Sequence, residues 1–172
     1  DYETVFIDLK IKPFEAFKNI FSNKSYHVER FISNAFTEKI IDILLLDKYD
    51  IIQLETLFLT PYVEEIRKYS DAKIVLRSHN IEHLIWERIA MDCKNPLKRI
   101  YIKHLSETLK NYELEVINKF DGIACISKKD ETFFVKNNCN VPITNISFGI
   151  DIEEYNYKFA QENVCLFHIG AM

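Results

Sequence analysis

A chain of 172 residues, 48% of them hydrophobic, is long enough to bury about 70% of the surface it exposes when unfolded, so one domain can hold its own core without staples. A formal net charge of −4, with lysine and arginine spread along the chain, offers no basic stripe to track phosphates and argues against nucleic acid as a partner. Three glycines, Gly122, Gly149 and Gly170, are too few and too scattered for a Walker loop or a dinucleotide fingerprint, both of which need several glycines within one βα turn.

Short apolar runs alternate with helical patterns along the chain. That alternation predicts βαβ units and an α/β fold: a doubly wound, mainly parallel sheet with helices on both faces. The first run, residues 4–9 with Val5-Phe6-Ile7-Asp8-Leu9, reads as a strand. Residues 8–24 set Lys10, Lys12, Lys18 and Lys24 against Asp8 and Glu15 and place Phe14, Phe17 and Phe21 on one helical face. The spacing predicts that these rings rest on the core, as on any surface helix, and a basic amphipathic segment lying on an anionic membrane is the second reading.

Val28, Phe31, Ile32, Ala35, Phe36, Ile40, Ile43 and Leu44 recur at spacings of three and four, which predicts one helix. A strand follows at Ile51-Ile52-Gln53-Leu54. Thr60 as a cap with Pro61 in the first turn predicts a helix to about Tyr69. Residues 73–78 form the next strand, 82–93 a helix, and Pro96 opens a long helix from Leu97 to Lys119. Gly122-Ile123-Ala124-Cys125-Ile126 is a strand, Ser127 caps the helix after it, and 142–147 and 164–169 are further strands. Cys93, Cys125, Cys139 and Cys165 form no C-x-x-C pair, so reduced thiols in a cytoplasm are expected and structural zinc is not. Both ends look cut, because an apolar strand opens the chain and another closes it. The expected division is a Rossmann-like domain over 1–151, then over 152–172 a connection and the first strand of a second domain.

In an open α/β sheet, ligands bind in the crevice outside the carboxyl ends of the strands. The residues predicted there are Glu55 and Thr56, His79 and Asn80, Ser127 and Lys128, and Phe148-Gly149-Ile150-Asp151. Ser127 and Asn80 also suit plain helix capping. His79 suits capping less well and is an adaptable acid, base or donor near neutral pH. His79, Glu82 and His83 spell the H-x-x-E-H of inverted zinc peptidases, but that motif needs both histidines on one helix, and here His79 falls at a strand end. His83 is expected to orient a neighbour or cover the helix start, and Glu82 to face the positive end of the helix dipole. Trp86 and Arg88 are read as packing and a surface contact. His27, His104 and His168 have no spacing that lifts them above structural roles.

The stretches Asp50-Ile-Ile-Gln-Leu-Glu55, Leu76-Arg-Ser-His-Asn-Ile-Glu-His-Leu-Ile-Trp-Glu-Arg88, Tyr112-Glu113, Asp121-Gly-Ile-Ala-Cys-Ile-Ser127, Ile146-Ser-Phe-Gly-Ile-Asp151 and Leu166-Phe-His-Ile-Gly-Ala-Met172 resemble bacterial family 4 glycosyltransferases in order and spacing. The resemblance implies the amino-terminal, acceptor-side domain of an enzyme with two Rossmann-like domains. Such an enzyme transfers a sugar from a nucleotide sugar to a glycan or lipid-linked acceptor with retention of configuration, as in polysaccharide biosynthesis. It uses no bound metal and no cofactor beyond the donor substrate. By the same resemblance His79 is the histidine beside the donor sugar, Gly149 and Asp151 lie in the turn near the interdomain cleft, and Glu55 falls where acceptor contacts are made. Asn80 and Ser127 join them as substrate-binding candidates. The family's glycine-rich loop and the glutamate-containing donor motif are absent from these residues, so the stretch alone is expected to be inactive. The expected location is cytoplasmic, with peripheral contact at the inner membrane face through 8–24. A non-catalytic flavodoxin-like binding module is the competing expectation, and a zinc hydrolase a third.

Overall fold

The computed structural model describes residues 2–149 and 151. Four parallel strands, β1 (Ile51–Leu54), β2 (Lys73–Ser78), β3 (Gly122–Cys125) and β4 (Ile143–Asn145), form one sheet in the order β1-β2-β3-β4. A 3-10 turn (Leu57–Tyr62) and α4 (Val63–Tyr69) join β1 to β2. Helices α5 (Glu82–Asp92) and α6 (Pro96–Val116) join β2 to β3, and α7 (Lys128–Lys136) joins β3 to β4. Before the sheet come α1 (Pro13–Asn19), α2 (Tyr26–Glu29) and α3 (Asn34–Leu46). The chain is therefore α/β, with a Rossmann-like parallel sheet flanked by helices.

Register decides which strand residues share a side. Leu54 pairs with Leu76, Leu76 with Ile123, and Ile123 with Ile143, which puts all four on one face. That face packs against Val63 and Ile66 of α4, Leu109 and Val116 of α6, and Phe134 of α7 in a single apolar cluster. Removing those side chains from water is the main favourable term here, each fully buried one contributing roughly 1.5–3 kcal/mol. The opposite face carries Gln53, Val75, Arg77, Ala124 and Thr144.

Three predicted elements are corrected. Residues 4–9 are not a strand: they run without regular structure and Phe6 is 88% exposed. An extended apolar segment needs a neighbour to satisfy its backbone, and this one joins no ladder of the sheet. The single helix expected over 28–44 is broken at residues 30–33, where the Tyr62 hydroxyl donates to the Phe31 carbonyl and accepts from the Ser33 amide. Ser33 then caps α3 by accepting from the Phe36 amide at 3.4 Å, so a local cap and a distant tyrosine override the periodicity. The turn after β1 begins earlier than Thr60. Thr56 accepts from the Phe58 amide, and Pro61 sits inside the 3-10 turn. The strand expected at 164–169 and the second-domain segment 152–172 lie outside the described residues.

The foot of the sheet is tied by Asp121. Its carboxylate accepts from the Ile74 amide at 2.8 Å, from Arg67 at 2.7 Å and from Lys73 at 3.4 Å. The Ile74 amide and then the Arg67 guanidinium hold this carboxyl well below the usual range, at about 2. A depressed folded-state value means stability that is present above about pH 4 and lost as pH falls toward 2. Asp121→Asn is expected to cost about 1–2 kcal/mol at pH 7, since water partly screens these charge-assisted bonds. It should also flatten the loss between pH 4 and 2 in urea denaturation followed by circular dichroism. An unchanged acid limb in the variant would remove Asp121 from the account.

Candidate functional site

Because all four strands are parallel, their carboxyl ends open on one edge, and two of the expected residues meet there. His79 Nε2 lies 2.9 Å from Glu55 Oε2. Glu55 also accepts from the Gln53 amide, and the two hydrogen bonds, Gln53 first and His79 second, lower its carboxyl below the ordinary value. Glu55 is therefore ionised and fixes a proton on Nε2, which leaves Nδ1 as the ring's second functional nitrogen. The His79 ring lies 5.6 Å from the Phe148 ring, so the segment after β4 closes over the same place.

Arg77 is a member of this group that the sequence reading passed over. Its guanidinium sits 5.5 Å from the centre of the Phe148 ring, within cation–π range. Its Nη1 is buried and finds no hydrogen-bond partner among the described residues. A buried donor without an acceptor is costly. The legible signal was its place one residue before the end of β2, two positions from His79, where the apolar run 74–76 gives way to polar side chains.

The start of α5 is organised differently from expectation. Asn80 is exposed and does not cap it. The N-cap position belongs to Ile81, whose aliphatic side chain offers no acceptor. Glu113 of α6 caps the helix from across the core, its carboxylate accepting from the backbone amides of Glu82 at 3.1 Å and His83 at 3.3 Å, and contacting His83 Nδ1 at 2.6 Å. Both side chains of the pair are almost wholly buried, at 3% and 2% exposure. His79 and His83 are thus engaged by different carboxylates, and among the described residues no group of three or more His, Cys, Asp or Glu side chains is placed to hold a metal ion. Glu82 sits between these pairs. Burial first and the Glu113 charge second push its carboxyl up to about 7, against a smaller opposing pull from His79. A carboxyl that titrates near neutrality beside a strand-end histidine can give or take a proton at physiological pH.

The remaining candidates fall out as follows. Ser127 caps α7, accepting from the Asp130 amide at 3.2 Å and donating to the Asp130 carboxylate at 2.6 Å. Lys128 is exposed and pairs with Glu131. Gly149 and Asp151 are exposed at the same edge, and a Cβ at Gly149 would meet nothing within 4 Å, so open space rather than close packing surrounds it. Ile150 lies outside the described residues. Trp86 packs as expected, its ring 3.9 Å from that of His27. Burial, and then Arg30, lowers the His27 imidazole to about 4, which keeps it neutral. Arg88 donates to the Leu84 carbonyl on its own helix. His104 lies 3.3 Å from the Asn19 carbonyl of α1. His168 lies outside the described residues.

Comparison of the chain with protein-family models, with curated proteins and with solved structures finds no match.

Proposed function

We propose that this chain is the acceptor-side half of a retaining, nucleotide-sugar-dependent glycosyltransferase, with His79 beside the transferred sugar. The observation that carries the reading is the Glu55–His79 pair at the carboxyl edge of the parallel sheet, which adds to the motif resemblance a preorganised imidazole at the place where such folds bind ligands. When the bond to the leaving nucleotide breaks, charge develops on the sugar and on the departing phosphate. A donor or dipole already aimed at that charge lowers the barrier without reorganising during the reaction. Glu55 orients the ring, Arg77 and Phe148 form the wall beside it, and Glu82 is a nearby proton store. The donor diphosphate is held mainly by a second Rossmann-like domain, and the acceptor is a glycan or a lipid-linked sugar. No metal or cofactor enters the step. A cytoplasmic location goes with this reading, since Cys93, Cys125 and Cys139 are free thiols.

The test is transfer of labelled sugar from a panel of nucleotide sugars by the whole enzyme, the expected product keeping the anomeric configuration of the donor. Absence of transfer from every donor would favour a non-catalytic binding module instead. A second expected result concerns residues 1–172 by themselves. With no phosphate-cradling glycine loop in the sequence, their affinity for uridine and guanosine diphosphate sugars should be weaker than about 1 mM, or roughly 4 kcal/mol of binding free energy at most. Titration calorimetry measures this directly, and micromolar binding would move the donor site into this domain.

A further inference from the structure

We infer that Arg77 docks an oxyanion, the phosphate or carboxylate of a hydroxyl-bearing molecule, at the carboxyl edge of the sheet. Its Nη1 is shut away from water and finds no hydrogen-bond partner among the described residues. Arg67, at the foot of the same sheet, shows what a structural arginine looks like in this fold. Its guanidinium donates to the Ala72 and Lys119 carbonyls and to the Asp121 carboxylate. A buried donor without an acceptor costs stability, and a charged one costs more. A purely structural role leaves that cost without compensation, whereas an anion arriving from outside supplies the missing acceptor and the missing charge together.

Register gives the arginine its neighbours. Val75 and Arg77 lie on the side of the sheet opposite the cluster that packs on α4, α6 and α7. Glu55, one step past the pair Leu54–Leu76, falls level with Arg77 on that side. A cross-strand carboxylate is the ordinary partner of an arginine. Here Glu55 is taken by Gln53 and His79 instead, and Arg77 adds only a minor pull on its carboxyl. The Arg77 guanidinium and the His79 ring lie 5.5 and 5.6 Å from the centre of the Phe148 ring. Phe148 is 68% exposed, a cover that a ligand can displace. Beside it stand a cation that lacks an anion and, on His79, the Nδ1 acceptor that the Glu55 contact leaves open.

These two groups select the ligand. An oxyanion answers the guanidinium through charge-assisted hydrogen bonds, and a neighbouring hydroxyl donates to Nδ1. A sugar acid or a sugar phosphate carries both features, while a neutral sugar carries only the second. A nucleotide diphosphate fits less well, since it brings two adjacent phosphates to a cluster around Phe148 that offers Arg77 as its unmatched cation in a chain without a glycine-rich loop. The oxyanion site stands on Arg77 and its surroundings. Only its use rests on the sugar-transfer reading, under which the ligand is the acceptor, carrying its phosphate or carboxylate close to the hydroxyl that receives the sugar.

Titration of residues 1–172 with glucuronate, glucose 1-phosphate, glucose and uridine diphosphate, followed by NMR, tests the site without any transfer reaction. At least one of the two anionic sugars should bind with a Kd of about 1–10 mM and shift the amide signals of Arg77, His79 and Phe148. Which of them binds identifies the oxyanion as carboxylate or phosphate. Glucose should bind at least about tenfold more weakly, the worth of one charge-assisted bond. R77M should lose about the same factor, and its thermal midpoint without ligand should be no lower than that of wild type, because the variant removes a buried donor that had no acceptor. R99M, which deletes the same charge on α6, should bind as wild type does. Glucose bound as tightly as the anionic sugars, no binding of either anionic sugar, or unchanged binding by R77M overturns the inference. So does an R77M midpoint more than about 5 °C below wild type, which would make the arginine a structural tie. Uridine diphosphate bound at least about tenfold more tightly than both anionic sugars would place a nucleotide phosphate on Arg77 and overturn it too. Failure here leaves the transfer assay untouched, and failure of transfer leaves the titration untouched.

Discussion

Replacing His79 by alanine in the whole enzyme is expected to lower turnover by on the order of 10²-fold or more while donor affinity changes far less. The asymmetry follows from what the side chain does in the proposed step. Interactions that strengthen only as the glycosidic bond breaks raise turnover without tightening ground-state binding. The fold itself should survive, because the His79 side chain is 34% exposed and its described hydrogen bond is to the surface residue Glu55. Steady-state kinetics with the best donor measures the split between turnover and KM. Wild-type turnover in His79→Ala would end the assignment. Glu55→Gln gives the companion result: the amide still reaches Nε2 but no longer fixes its proton, so turnover should fall less than in His79→Ala and its pH profile should shift. A Glu55→Gln profile superimposable on wild type would remove the orienting role.

Glu113→Ala is expected to destabilise the domain by about 3–5 kcal/mol, because it removes the shared hydrogen-bond acceptor of a buried cluster. The loss is large because one carboxylate serves three donors, the Glu82 and His83 amides and the His83 ring. Its removal strands all three away from water. For a domain of this size the midpoint of thermal unfolding should drop by roughly 10 °C. Glu113→Gln keeps an acceptor for two of the donors and should cost about 1–2 kcal/mol. Urea denaturation of the two variants separates these outcomes. A loss below about 1 kcal/mol for the alanine variant would mean that another group caps α5.

Much of the fold was legible in the sequence because its signals are local. Pro96 begins α6, Ser127 caps α7, and the β-branched runs at 51–54 and 73–78 become strands. Each rests on one to three neighbouring residues whose backbone preference is strong. The strand ends were legible as well, since βαβ alternation implies a parallel sheet and a parallel sheet puts all its carboxyl ends together. The same logic puts His79 and Glu55 on one edge, where they meet at 2.9 Å.

What the sequence could not decide is everything that depends on a partner far along the chain. Val5 to Leu9 carries a strand pattern but no ladder, because hydrogen bonding in a sheet is a property of two segments and not of one. The break between α2 and α3 is made by Tyr62, some thirty residues away. The cap of α5 comes from Glu113, thirty-one residues beyond Glu82, so a capping preference read from Asn80 pointed to the wrong residue. Phe14, Phe17 and Phe21 have the spacing of a packed face, yet periodicity specifies only that a helix has an apolar side. Which side meets the core was settled by Ala16 and Asn19, small enough to sit against Tyr26, Leu105 and His104, and that packing turned the three rings outward.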